Sequence, residues 1–133
     1  MRVSQRTEYG IRAMIALARD FDDVVSIKEL AEREGIPETF LEQIMSDLRR
    51  AGLLKSIRGP HGGFRLKGSP GEITIGRVIE ILEGSLSPAR CETGCTRQDG
   101  CSTRSVLDRI ERSITETLDH IFLKDLVGEV VNE

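Results

Sequence analysis

Residues 26–67 read SIKELAEREG IPETFLEQIM SDLRRAGLLK SIRGPHGGFR LK. Ser26 and Glu29 have the spacing of a capping box, which satisfies free amides at a helix start, and Gly35 is suited to end that helix. A second helix is predicted over residues 38–51. Two helices joined by a turn of about four residues that contains a glycine are typical of a helix-turn-helix, in which the second helix enters the major groove of DNA.

Two short runs of apolar and basic residues follow, at 53–58 and 63–67. Between them lies the sequence Gly-Pro-His-Gly at 59–62, which favours a tight turn, so the pair is predicted to form a β-hairpin. A hairpin placed directly after a helix-turn-helix is a wing. The predicted fold class is therefore mainly α with a small β-hairpin, a winged helix-turn-helix.

Helices are also predicted around this segment, over residues 5–19 after a Ser4 cap, from a Thr74 cap to Gly84, and from about Ser102 onward. Five apolar residues of the second helix of the helix-turn-helix are expected to face the core: Phe40, Leu41, Ile44, Met45 and Leu48. Apolar residues of the last helix recur at spacings of three, four, four and three: Leu107, Ile110, Ile114, Leu118 and Ile121. Such a stripe is more often simple core, but it is also the pattern of a helix that pairs with another helix.

Because dimeric DNA readers match two half-sites, we interpret the last helix as a long dimerisation helix and expect a homodimer. The chain is divided accordingly into a winged helix-turn-helix DNA-binding domain at 1–84, a cysteine-containing loop at 85–101, and a dimerisation helix with a C-terminal tail at 102–133.

The charge distribution supports DNA binding although the net charge of the chain is −3. Residues 38–67 carry six basic residues against three acids, a local balance of +3. Screening limits the reach of distant charges to about 8 Å at physiological salt, so a locally basic face can still bind phosphates. A solvated charged surface is the alternative interpretation.

Several functional classes are disfavoured by composition. No apolar run approaches the ~20 residues of a membrane span, and residues 1–4 lead into no signal-peptide core, so we expect a cytoplasmic protein that does not bind membranes. With no Trp and few aromatics, stacking on single strands is disfavoured. No phosphate-binding glycine loop, dinucleotide fingerprint or HExxH pair is present, which argues against an enzyme with a small-molecule substrate.

Three cysteines lie in the predicted loop, at Cys91, Cys95 and Cys101, with the spacing C-x3-C-x5-C. In a reducing cytosol such a cluster more often indicates metal or redox chemistry than a disulfide framework. Thiolates suit iron–sulfur clusters, zinc and Cu(I) alike, so the spacing does not identify the metal. Three unligated thiols are the alternative, although inert cysteines prefer burial.

Together with the order of elements, several sequence strings resemble the Rrf-type family of bacterial winged-helix transcription regulators, which includes iron–sulfur cluster regulators. The strings are Phe40-Leu41-Glu42-Gln43, Leu48-Arg49 with Gly52-Leu53, and Arg58-Gly59-Pro60-His61-Gly62-Gly63-Phe64, followed by the cysteines near 91–101. The resemblance spans nearly the whole chain. It implies a homodimer crossed through long C-terminal helices, whose loop cysteines hold an iron–sulfur cluster in many members. We expect a 2Fe-2S cluster, with 4Fe-4S as the alternative.

The same resemblance places Thr39, Glu42 and Gln43 where the reading helix meets base edges and Arg58 at the groove contact of the wing. Gln is suited to adenine, Glu accepts from the cytosine amine, and Arg inserted into a minor groove meets enhanced negative potential. Phosphate contacts are expected from four further basic residues: Arg49, Arg50, Lys55 and Arg65. His61 is interpreted as a turn or phosphate-contact residue. Each of these residues could instead be an ordinary surface residue.

The cysteine loop departs from the best-known family pattern, because its first gap is shorter and Arg104 stands where a His ligand follows the last cysteine. Arginine remains protonated and cannot be a ligand. Glu8 is the first candidate for a fourth ligand, since it matches a position from which related nitric-oxide-sensing members supply a carboxylate across the dimer. Other candidates are His120, Glu92 and Asp99.

The expected function is a DNA-binding transcription regulator, a repressor, whose affinity for a double-stranded operator is controlled by an iron–sulfur cluster at the three cysteines. A zinc-bound or thiol-switched regulator of the same fold is the alternative within this class. A small cysteine-based redox protein is the alternative from the enzyme class, and a hairpin that binds protein rather than DNA is a third.

Overall fold

A computed structural model describes residues 3–84 and 102–128 of the chain. The elements in chain order are α1 (Gln5–Arg19), α2 (Ile27–Glu34), α3 (Glu38–Arg50), β1 (Leu54–Ile57), β2 (Gly63–Leu66), α4 (Ile75–Glu83), α5 (Ser102–Leu118) and α6 (Leu123–Val127). This mainly helical order with one hairpin is the predicted winged helix-turn-helix.

Side-chain caps set the starts of three helices. Ser4, Ser26 and Thr74 each accept a hydrogen bond from the backbone N–H three residues later, as the sequence predicts. The capping box at α2 is only half formed, which corrects the sequence-based expectation. The carboxylate of Glu29 lies 3.6 Å from the guanidinium of Arg33, one helical turn onward, and does not return to the Ser26 amide. An ion pair has replaced the second capping bond.

The wing is an antiparallel hairpin in which Leu54 pairs with Leu66 and Lys55 with Arg65. Val25 extends it by an isolated bridge to Phe64, with N···O distances of 2.9 and 2.8 Å for the two backbone hydrogen bonds. Gly63 makes this approach feasible, because its φ is +155° and a Cβ there would overlap the carbonyl oxygen of Val25. The hairpin is therefore attached to the segment before α2.

The core lies around α1, which packs against α2, α3, α4, α6 and β2. From α3 it receives Leu41, Ile44, Met45 and Leu48, all fully buried, as predicted. The prediction that Phe40 faces inward is wrong. Phe40 is 39% exposed, and its ring contacts Tyr9 of α1 edge-on, with ring centroids 5.4 Å apart.

The structure after α5 also differs from the predicted apolar stripe of the last helix. The last long helix stops at Leu118, so Ile121 does not continue its apolar stripe. Residues 121–123 run beside 73–75 instead: the Ile75 N–H donates to the Ile121 carbonyl at 2.8 Å and the Leu123 N–H to the Ile73 carbonyl at 2.9 Å. The short α6 then packs against α1 and fully buries Leu123. No helix among the described residues is long and apolar enough to span a membrane.

Candidate nucleic-acid interface

The outer face of α3 is a polar stripe opposite its buried apolar face. At about 100° per residue, Thr39, Gln43, Ser46 and Arg50 lie within one narrow sector of the helix. Thr39, Gln43 and Arg50 are exposed, and Ser46 is half-buried. The structure thus brings two of the three expected base-contacting residues into line. It adds Ser46, which helical spacing from Thr39 and Gln43 could have identified.

Glu42 and Arg49 lie beside this stripe, both along one of its edges, and both are exposed. They are almost two helical turns apart, so this edge carries one acid and one base. Because the apolar face of α3 is held in the core, these side chains cannot rotate inward without exposing it. The stripe and its flank therefore present a fixed polar surface to solvent.

The wing presents a second group of polar side chains, two of them cationic. Lys55, Arg58 and His61 are exposed, and the turn between the strands is closed by a hydrogen bond from the Gly62 N–H to the Gly59 carbonyl at 2.9 Å. Lys55 lies directly opposite Arg65 in the strand register. Like charges directly opposite one another destabilise a hairpin unless an anion lies between them. This pair is suited to a phosphate.

Arg65 is less accessible than expected for a surface phosphate contact. Its side chain is 34% exposed, and Nη1 lies 3.9 Å from the carboxylate of Asp22. Its Nε is buried and has no hydrogen-bond partner among the described residues.

The three cysteines fall outside the described residues, as do Glu92 and Asp99, so the predicted cluster loop is not part of the fold given above. Within the described ranges, no three His, Cys, Asp or Glu side chains are grouped so that they could hold a metal ion. Glu8 lies exposed in the first turn of α1, and its carboxylate makes no ion pair with a described residue. His120, the other candidate within the described ranges, has Nδ1 2.6 Å from the Glu116 carbonyl oxygen.

Comparison with known proteins matches nearly the whole chain to one family of regulators. A family model named Rrf2 and described as iron-dependent transcriptional regulator matches residues 3–129. The HTH-type transcriptional regulator CymR of Bacillus subtilis (strain 168) is 38% identical over 96% of this chain and 91% of its own. The HTH-type transcriptional regulator IscR of Pectobacterium carotovorum is 36% identical, over 96% and 80%.

Among solved structures, that of CymR, titled the global cysteine regulator of B. subtilis, superposes with a TM-score of 0.87. It is 36% identical and covers 98% of this chain and 99% of its own. The match extends over the winged helix-turn-helix and through α5 and α6. These relatives are transcription regulators, not enzymes.

Proposed function

The chain belongs to the Rrf2 family of DNA-binding transcription regulators, and we propose that it is a repressor that binds its operator as a homodimer under control of an iron–sulfur cluster. The observation that carries the proposal is the polar outer stripe of α3, fixed by a fully buried opposite face and followed directly by a basic wing. A helix held in this way can enter a major groove while the hairpin reaches the adjacent backbone or minor groove.

The candidate contact residues then have roles that fit their chemistry. Thr39, Glu42 and Gln43 contact base edges, and Arg58 enters the groove beside the wing. Phosphates are contacted by five further residues of α3 and the wing: Arg49, Arg50, Lys55, Arg65 and His61. The opposed Lys55 and Arg65 support this division, since a phosphate would bind between the two cations and replace the exposed Asp22 carboxylate, which lies 3.9 Å from Arg65.

The dimer is proposed from α5. None of its residues is buried in the single chain, and its apolar side includes Val106, 55% exposed, and Ile110, 39% exposed. With Ile114 they form a shallow apolar surface at helical spacing. A second copy of α5 would cover this surface and set two reading helices at the spacing of two half-sites.

Cluster control is proposed from the donor set. Cys91, Cys95 and Cys101 supply three thiolates. The exposed Glu8 carboxylate, which makes no ion pair within residues 3–84 and 102–128, is available as a fourth ligand, whereas Arg104 is not. The family description as iron-dependent supports iron over other metals. A bound cluster would supply chemistry that responds to iron, oxidants or nitric oxide. It controls the operator only if the bound and free forms differ in DNA affinity.

The similarity to a Staphylococcus aureus CymR structure titled an oxidized form, with 30% identity and a TM-score of 0.81, favours a second candidate, in which the thiols of this chain act without iron or bind zinc. The two candidates differ in colour, because zinc and bare thiols do not absorb visible light. Anaerobic purification followed by visible absorption and by iron and sulfide analysis separates them. A colourless, iron-free protein would overturn the cluster proposal and leave the thiol-based regulator.

Operator binding tests the DNA contacts independently of the cluster. Arg58→Ala is expected to weaken binding by about 1–3 kcal/mol, because it removes a groove contact. Arg77→Ala is the matched control, since Arg77 is exposed on α4, outside the helix-turn-helix and the wing, and is paired with Glu80 at 2.6 Å. If both variants bind like the wild type, Arg58 is not in the interface. If the cluster-bound and cluster-free proteins bind equally at fixed salt, the cluster is not the control.

A further inference from the structure

Arg6, in the first turns of α1, lies outside the helix-turn-helix but contacts its reading helix. Its guanidinium forms an ion pair and hydrogen bond with the carboxylate of Asp47 on α3. Its Nε donates to the backbone carbonyl of Leu82 at 3.4 Å, in the last turn of α4. Arg6 therefore joins α4 to α3 through a single side chain.

The carboxylate of Asp47 is shared between two arginines. Its second oxygen accepts a hydrogen bond from Arg50 at 3.0 Å, and Arg50 is on the outer stripe of α3. The side chains of Arg6 and Asp47 are 31% and 23% exposed, whereas that of Arg50 is 68% exposed. Because water screens an exposed pair more strongly, the carboxylate is held more tightly by Arg6 than by Arg50.

We propose that Arg6 is a positioning residue for DNA binding: by neutralising Asp47, it leaves the charge of Arg50 available to a backbone phosphate. With both arginines present, the trio carries a net charge of +1. Without Arg6, Asp47 and Arg50 form a neutral pair, and a phosphate must compete with the carboxylate for the guanidinium. The inference rests on the proposed role of Arg50 as a phosphate contact.

Two further contacts fix Arg6 in this place. Glu83, next to Leu82, accepts hydrogen bonds from the Ser4 N–H and the Thr7 hydroxyl, each at 2.8 Å. These bonds tie the start of α1 to the end of α4 on either side of Arg6. The guanidinium is thus held between two packed helices, and its long side chain loses little further freedom when it pairs with Asp47.

The test is the salt dependence of operator binding by the full-length protein. Each phosphate contact contributes about 0.9 to the slope of log K against log salt, so Arg50→Met is expected to lower the slope by about 0.9 per bound chain. Arg6→Met is expected to lower it by a similar amount, through Asp47 and Arg50. In the double variant the slope should fall no further than in Arg50→Met, because Arg6 acts through Arg50.

Control variants separate this effect from loss of charge or of fold. Arg77→Met removes one positive charge from an exposed pair on α4 and should leave the slope unchanged. Arg6→Lys keeps a cation beside Asp47 and should restore the slope. Circular dichroism and the thermal midpoint identify any variant that does not fold. If Arg6→Met does not fold, the salt slopes of Arg6→Lys and Arg6→Gln are compared instead, and only Arg6→Gln should show the lower slope.

The outcomes distinguish the inference from its premise. If Arg50→Met changes the slope but Arg6→Met does not, or if their effects add in the double variant, Arg6 does not act through Arg50 and the inference is wrong. If Arg50→Met itself leaves the slope unchanged, the proposed phosphate contact is wrong and the inference falls with it.

Discussion

Substituting Gly63 with alanine should destabilise the chain by roughly 2–6 kcal/mol. The φ of +155° costs an L-residue about 1–3 kcal/mol. A Cβ would also push away the Val25 carbonyl, which breaks the two backbone hydrogen bonds between Val25 and Phe64. Each such bond contributes about 0.5–1.5 kcal/mol. The sum is a large share of the 5–15 kcal/mol typical of a domain.

Gly59→Ala is the matched control for this substitution, because Gly59 has a φ of +118° but nothing within 4 Å of the position of its Cβ. It carries the backbone penalty without the clash. In urea unfolding monitored by circular dichroism, the free energy of unfolding of Gly63→Ala should therefore be about 1–3 kcal/mol lower than that of Gly59→Ala. Equal stabilities, within about 0.5 kcal/mol, would show that Val25 does not anchor the wing.

Three further substitutions test other parts of the fold. Hydrogen bonds from the Ser4 N–H and the Thr7 hydroxyl lower the pKa of Glu83 below its ordinary value of 4.5. Its contribution to stability is therefore present above pH 4.5 and is lost as the pH falls through the lowered pKa. Glu83→Gln should flatten the dependence of the unfolding free energy on pH across this range, measured by urea unfolding. Ser26→Ala removes the α2 cap and should cost about 0.5–2 kcal/mol in urea unfolding, with no loss if the cap is irrelevant. Leu123→Ala should cost about 2–5 kcal/mol in the same assay, because the side chain is fully buried, and a near-neutral result would contradict the packing of α6 on α1.

The parts of the fold that sequence predicts correctly are set by neighbours within one or two helical turns. Ser4, Ser26 and Thr74 mark helix starts through hydrogen bonds to amides three residues away, and Gly35 ends α2 with a φ of +66°. These interactions need no distant partner, so the residue types alone define them. The same locality explains why the hairpin and the helix-turn-helix are predicted in their observed order.

Phe40 shows where helical periodicity fails. The pattern places it at the edge of the apolar face of α3, but it does not say how far α1 extends over that edge. In the structure the ring meets Tyr9, whose hydroxyl accepts a hydrogen bond from Gln5 at 2.9 Å and whose ring faces Arg12 at 5.6 Å. Phe40 therefore packs at the surface against a tyrosine that is itself surrounded by polar side chains. Only the relative placement of α1 and α3 determines this.

The charge of the reading surface is also decided by distant partners. A count over residues 38–67 sets Asp47 against the basic residues, yet Arg6, 41 residues away in sequence, neutralises this carboxylate. In the opposite direction, Asp22 lies 3.9 Å from Arg65, but it is 73% exposed and weakly coupled. The tighter of the two contacts adds a positive charge to the surface. Counting Arg6 raises the balance over residues 38–67 from +3 to +4. On α3 alone, two basic residues stand against three acids, a balance of −1 that Arg6 brings to zero. The net positive charge of this segment therefore comes from the basic residues that follow α3: Lys55, Arg58, Arg65 and Lys67.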